Sequence, residues 1–280
     1  MDSYIIDGVR TPIGIKNGNM LGLRSDDLAS HLVKVLLERN KDIDKENIED
    51  IIIGCAFPEG HQGMLMSRAI SVLSELSIET SAKIVNRFCG SSMDSIHQAS
   101  QSIISCDGEV MIAGGVEDMF GVPMGGFNPS FHPKLYEQDF YMGMGETAEN
   151  LSKELNITRK DQEEFAIRSH DKALDAISKG YFDNEIAPIE YNGIVIDRDE
   201  GPRKPDLHKI QSLDPAFDVD GTVTAATSSP VSIGGSINLI VNSKIVDRIN
   251  PTRKFLIRSR AVAGVDWKIM GSGPIPATKK

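Results

Sequence analysis

Lys83-Ile84-Val85-Asn86-Arg87-Phe88-Cys89-Gly90-Ser91-Ser92-Met93 joins a strand, a turn and a helix in one short run. The apolar stretch Ala82–Val85 reads as a strand. A tight turn follows, and a helix expected over Ser91–Ile104 opens just past the cysteine. Outward from this point the same alternation repeats. Upstream, Asp50–Cys55 holds Ile51-Ile52-Ile53, the continuous apolar run of a buried strand. Met64–Leu76 reads as an amphipathic helix. Leu28, Leu32, Leu36 and Leu37 follow a helix start at Ser25-Asp26-Asp27 at helical spacing. Ser3–Asp7 is a short strand closed by a turn at Gly8, and Val110–Ala113 is the next strand downstream. Strands and helices taken in turn imply an α/β layer with crossover helices.

Beyond Glu117 the texture changes. Gly121–Pro133 is rich in Gly and Pro and reads as loop. Thr147–Leu155 and Thr158–Lys179 read as helices, the second closed by Gly180. Arg198–Asp220 carries three prolines and many charges, and is expected to be loop again. From Gly221 the apolar pattern returns, with strands expected at Asn238–Val241 and Phe255–Ile257. This divides the chain into a first part of an α/β core (1–117), a large excursion (118–220) and a return to the core (221–270). The stretch 271–280, GSGPIPATKK, reads as a junction whose Pro274 and Pro276 turn leads to no further element.

The composition is that of a soluble globular protein: 280 residues, 40% hydrophobic and 25% charged. A formal charge of -10 argues against nucleic acid or an anionic membrane as the main partner. No apolar run approaches the roughly 18 residues of a membrane span, and the acidic start MDSYIIDGVRTP lacks the form of a signal peptide. Three cysteines in a chain of this length do not read as a disulfide framework. A reducing, cytoplasmic compartment is expected. No His, Cys or Asp cluster has metal-ligand spacing, and there is neither a phosphate loop nor a dinucleotide fingerprint.

Cys89 is the candidate nucleophile. A helix first turn presents unpaired N–H groups and the positive end of its dipole, which suit a group that reacts as an anion. The same N–H groups can hold an oxyanion formed when sulfur attacks a carbonyl. Cys55 ends an apolar strand and Cys106 ends a helix, so both are expected to be packing residues. His31, His61, His97 and His170 fall on helices or their edges and His208 in a charged loop, where solvated or packed roles are expected. His132, in Phe131-His132-Pro133, lies in the excursion loop nearest where a substrate would pass.

Asn86-Arg87-Phe88-Cys89-Gly90-Ser91-Ser92-Met93 resembles the active-site signature of the thiolase family. The form is that of the bacterial 3-ketoacyl-CoA thiolases of fatty-acid oxidation. The likeness runs along the chain in the family's order. It includes Asp7-Gly8-Val9-Arg10-Thr11-Pro12, Gly114-Gly115-Val116-Glu117-Asp118-Met119, and Met142-Gly143 with Glu146-Thr147-Ala148-Glu149. Gly221-Thr222-Val223-Thr224-Ala225 and Met270-Gly271-Ser272-Gly273-Pro274 continue it. The resemblance implies a thiolase-like N-terminal layer, a mixed sheet with helices on both faces, plus a loop excursion. It implies acyl transfer through a thioester on Cys89 in a two-step exchange. Coenzyme A would be substrate, with no permanently bound cofactor. Arg203 would meet its phosphates, Ser229 would lie beside the pantetheine arm, and Met142 would line the thioester pocket. A homodimer or larger assembly is implied, with the hydratase/dehydrogenase subunit of a β-oxidation complex as a further partner.

The family's second half brings a Gly-His-Pro segment, an Asn-Glu-Ala-Phe segment and a Cys-Gly-rich loop with a second cysteine. None of these occurs in the 280 residues. The expectation is therefore a truncated chain with impaired turnover, and the alternative is a non-catalytic docking or dimerisation module. A ketoacyl-synthase relative is a third reading, disfavoured by the setting of Cys89. The chain departs from the family's pattern at Ala226, Ile233 and Gly235-Ser236, and by one residue between Arg203 and Phe217. Asn238 falls in an expected buried strand, where an unpaired amide is costly.

Overall fold

In the computed structural model, which describes residues 1–280, the chain forms two units. The first comprises Met1–Asn128, Phe182–Gly201 and Val231–Arg258; the second comprises Pro129–Tyr181, Pro202–Pro230 and Ser259–Lys280.

The first unit is built on a seven-stranded sheet. Its elements before the excursion are β1 (Ser3–Arg10), β2 (Gly14–Ile15), α1 (Ser25–Arg39), β3 (Asp50–Gly54), α2 (Met66–Leu73), β4 (Ser81–Val85), α3 (Ser91–Ile104) and β5 (Val110–Asp118). A separate hairpin, β6 (Ile189–Tyr191) and β7 (Ile194–Ile196), precedes β8 (Ser232–Asn242) and β9 (Phe255–Leu256). The sheet order is β4-β3-β5-β8-β1-β9, with β2 paired to β8. β3 lies parallel to β4 and β5, whereas β8 runs antiparallel to both β5 and β1, so the sheet is mixed.

The isoleucine run of β3 shows why both faces are covered. Successive strand residues point to opposite faces. Ile51 and Ile53 enter the larger core with Leu28, Leu32 and Leu36 of α1 and Ile70 of α2. Ile52 enters a smaller core with Ala99 and Ile103 of α3. All three isoleucines are fully buried, each contributing about 1.5–3 kcal/mol. The segment 182–201 is tied to β1 through Arg10, whose guanidinium donates to Glu185 at 2.7 Å and to both oxygens of Asp199 at 2.7 and 3.1 Å.

Several expectations need correction. β8 begins at Ser232, well before the expected Asn238, because Gly234, Gly235 and Ser236 pair through their backbones with β5 despite their small side chains. Asn238 is not unpaired: it is half-buried, and its amide donates to the Ala113 carbonyl at 3.4 Å. The hairpin turns at Asn192-Gly193, both at positive φ, an Asn-Gly signal present in the sequence but not read from it. Cys106 is exposed rather than packed. It lies just past α3 with φ +65°, in the left-handed conformation that commonly ends a helix.

The second unit is mainly helical: α4 (Pro133–Tyr136), α5 (Met144–Leu155), α6 (Arg159–Ser178) and α7 (Leu207–Gln211). α6 starts on a capping box in which Thr158 and Asp161 exchange side-chain and backbone bonds. α7 lies in the stretch expected to be loop, where Asp206 accepts from the Lys209 N–H and caps it. The end of the chain is also helical, over Pro274–Lys279, rather than a bare turn. Glu149 on α5 is almost fully buried and gathers the Thr222 N–H, the Thr222 hydroxyl and the Val223 N–H at 2.7–3.1 Å.

Candidate active site

Cys89 is exposed, at the end of a turn between β4 and α3. Phe88 just before it takes φ +45°. A bulky residue in that region is strained and persists only where its surroundings over-determine it. Here they do. Asn86 Oδ1 accepts the Phe88 N–H at 2.9 Å. The Ser91 hydroxyl accepts the Arg87 N–H at 2.8 Å and donates to the Phe88 carbonyl at 2.6 Å. The Gly90 and Ser91 N–H groups are also consumed by the turn, donating to the Arg87 and Phe88 carbonyls. The expectation that the first-turn N–H groups are open to an oxyanion therefore fails for these two.

The start of α3 is seated directly on the sheet. Two glycines paired across neighbouring parallel strands, Gly54 at the end of β3 and Gly115 within β5, make this possible. A Cβ at Gly54 would lie 2.4 Å from Ser91 C and Ser92 N, and one at Gly115 would lie 2.6 Å from Ser92 Oγ. Ser95, fully buried, pins the next turn by donating to the Gly114 carbonyl at 2.8 Å. Asp94 in the first turn complements the helix dipole and pairs with Arg87 at 3.3 Å.

The other candidates lie in the second unit. Met142 is half-buried beside the Asn150 amide, 3.7 Å from its sulfur. Ser229 is exposed at the end of a turn in which Thr227 Oγ1 accepts the Thr224 N–H at 2.9 Å. Arg203 is exposed, and its N–H donates to His170 Nδ1 at 3.4 Å. Burial and the Arg203 charge hold His170 below the usual 6.5. The unfolded chain therefore binds the proton more readily. The contact's stability is present above pH 6.5 and is lost as pH falls below it and through the folded value. We expect wild-type melting to fall more steeply than that of His170→Asn between neutral pH and about pH 5. Parallel melting curves across that range would contradict this.

Burial, with the Glu117 carboxylate alongside, pushes the Cys55 thiol up to about 12, so it is a poor nucleophile in the folded chain. His61 is not simply solvated: its Nε2 lies 3.4 Å from Asp118 and 3.3 Å from Ser25 Oγ. His132 is exposed at the start of α4. No group of three or more His, Cys, Asp or Glu is placed to hold a metal ion. No helix is long and apolar enough to cross a membrane.

Comparison with known proteins bears on this arrangement. Residues 3–244 match the family model described as thiolase, N-terminal domain. The chain is 43% identical to a 3-ketoacyl-CoA thiolase of Marinobacter nauticus over 288 residues, covering 100% of this chain and 74% of that relative. It is 42% identical to a 3-ketoacyl-CoA thiolase of Aliivibrio fischeri, covering 99% and 74%. Among solved structures, the Bacillus anthracis acetyl-CoA acetyltransferase superposes with a TM-score of 0.88 at 30% identity, covering 99% of this chain and 75% of that one.

Proposed function

Because this chain belongs to the thiolase family through its N-terminal domain, we propose that it cleaves 3-ketoacyl-CoA with Cys89 as the acyl carrier. The observation that carries the reading is the exposed Cys89 on a locked, left-handed turn at the start of α3. Its Sγ, as thiolate, attacks the keto carbon. The carbon–carbon bond to the acetyl-CoA portion then breaks, and that portion leaves as an enolate and takes up a proton. The remaining acyl group stays on Cys89 as a thioester. The thiolate of a second coenzyme A attacks this thioester, releases the shortened acyl-CoA and returns Cys89 as thiolate. Arg203, Ser229 and Met142 are assigned to coenzyme A: a forked, permanently charged guanidinium suits its phosphates. They place coenzyme A recognition in the 118–220 excursion and the turn that follows it. The same reading assigns the protein to the cytoplasm and to an assembly of two or more copies. Exposed Val72, Ile78 and Met93 support the latter.

The 280 residues hold no Gly-His-Pro segment and no second cysteine in a Cys-Gly-rich loop. General acid–base groups contribute about 10²- to 10⁴-fold, so these residues alone are expected to turn over slowly. A thiolysis assay with acetoacetyl-CoA, a medium-chain 3-ketoacyl-CoA and free coenzyme A tests this, with Cys89→Ala as control. The expected result is slow, Cys89-dependent cleavage that rises when a polypeptide carrying the Gly-His-Pro and Cys-Gly segments is added. Cleavage unaffected by Cys89→Ala would overturn the reading.

A further inference from the structure

Glu117 is the penultimate residue of strand β5, and the loop in front of Cys89 hangs from its carboxylate. One oxygen accepts the Ala56 N–H at 2.6 Å. The other accepts the Phe57 N–H at 3.2 Å and the Gln62 side-chain amide at 2.9 Å. Gln62 is fully buried and completes the frame. Its amide also donates to the Phe57 carbonyl at 2.9 Å, and its oxygen accepts from the Asp118 N–H at 2.6 Å and the Ser25 hydroxyl at 2.9 Å. Ala56-Phe57 then reaches the Cys89 turn by two routes. The Ala56 carbonyl accepts from Asn86 Nδ2 at 2.9 Å, and the Phe57 ring meets the Phe88 ring with centroids 5.8 Å apart. Asn86 is the same residue whose oxygen holds the Phe88 N–H.

We propose that Glu117 is a positioning residue for Cys89: through Ala56-Phe57 and Asn86 it holds Phe88 in its left-handed conformation and so fixes the thiol at the start of α3. A bulky residue at positive φ relaxes when its supports are cut. The Glu117 carboxylate is the support from which the Asn86 and Phe57 contacts both descend. Apart from the Cys55 thiol, 3.7 Å from one oxygen, every donor it meets is an N–H, so an amide in its place turns one acceptor into a donor facing donors. The proposal rests on Cys89 being the acyl carrier, but its test does not use acyl transfer.

Two cysteines supply the readout. Iodoacetamide alkylation, followed residue by residue by peptide mass spectrometry, reports Cys89, with exposed Cys106 as internal reference. A thermal melt reports unfolding, because Cys55 touches Glu117 and responds to its substitution directly. Four chains are compared: wild type, Glu117→Gln, Asn86→Asp and the double variant. Asn86→Asp keeps the acceptor for the Phe88 N–H and removes the donor to Ala56. The expected result is a roughly tenfold slower Cys89 in Glu117→Gln, in line with the sensitivity of reacting groups to small misplacements, with Cys106 unmoved. The double variant should be no slower than the slower single variant, because both cut one path. An unchanged or faster Cys89, a parallel change at Cys106, or multiplicative slowing in the double variant would overturn the proposal. If Glu117→Gln unfolds, seen as loss of a cooperative melt, Glu117→Asp carries the test by the same two rates, since it keeps the charge and shortens the reach. Coupled alkylation with no acyl group ever appearing on Cys89 would remove the acyl-carrier reading and leave the positioning relation standing.

Discussion

Replacing Gly54 by alanine is expected to cut acyl transfer to Cys89 by about 100-fold, because it unseats the helix that begins beside the thiol. The added Cβ would lie 2.4 Å from the Ser91 carbonyl carbon and the Ser92 nitrogen. Both are backbone atoms, so no rotamer change relieves the contact, and α3 must lift from β3. Lifting it also pulls Ala99 and Ile103 away from Ile52 in the smaller core. Overpacking of this kind costs about 1–3 kcal/mol, so the melting temperature should fall together with the acylation rate. Gly264, where an added Cβ meets nothing within 4 Å, is the matched control, and Gly264→Ala should stay within about 0.5 kcal/mol of wild type. The readout is the rate of acetyl incorporation from acetyl-CoA beside a thermal melt. A Gly54→Ala chain that acylates at the wild-type rate would show that the seat of α3 does not set the reactivity of Cys89.

The second large effect is expected in the other unit. Glu149→Ala should destabilise it by about 3 kcal/mol, because the substitution strands the half-buried Thr222 N–H and the buried Val223 N–H, while the Thr222 hydroxyl keeps Ser152 as a partner. Gly221 lies against the same carboxylate, where a Cβ would come 2.4 Å from Oε1, so the turn is built around the glutamate. That turn leads into the Thr224–Ser229 segment, and coenzyme A binding should weaken in step. Glu149→Gln should recover only part of the loss, since an amide accepts at one oxygen and offers a donor at the other position. A denaturant titration measures the shift. A change below about 1 kcal/mol for Glu149→Ala would mean that water replaces the carboxylate at no great cost.

Much of the fold was legible because it is written in periodicity. The α3 span, Ser91–Ile104, is the span expected from the sequence, and Ile51-Ile52-Ile53 is a strand buried on both faces. What escaped reading was held by backbone rather than by apolar pattern. Gly234-Gly235-Ser236 carries no hydrophobic signal, yet it pairs along β5 so closely that a Cβ at Gly114 would lie 2.0 Å from the Ser236 oxygen. α7 is one short turn set by the Asp206 cap inside a charged stretch, too brief for a helical period to register. At the candidate site, Cys89 stood out through its strand–turn–helix setting. The Gly54 and Glu117 contacts did not, because they join residues far apart in the chain. Glu117 was visible only as part of a resemblance, and its hold on Ala56 and Phe57 requires the loop to be folded back over β5.

Cys89 is the residue proposed to take the acyl group. The direct measurement is to incubate the chain with acetyl-CoA, quench in acid, digest, and locate any acetyl group among the cysteine-bearing peptides. The expected result is one hydroxylamine-labile acetyl group on the peptide carrying Cys89, none on those carrying Cys55 or Cys106, and none anywhere in Cys89→Ala. Acetyl on Cys106, or none on Cys89 in a chain that melts cooperatively, would contradict it.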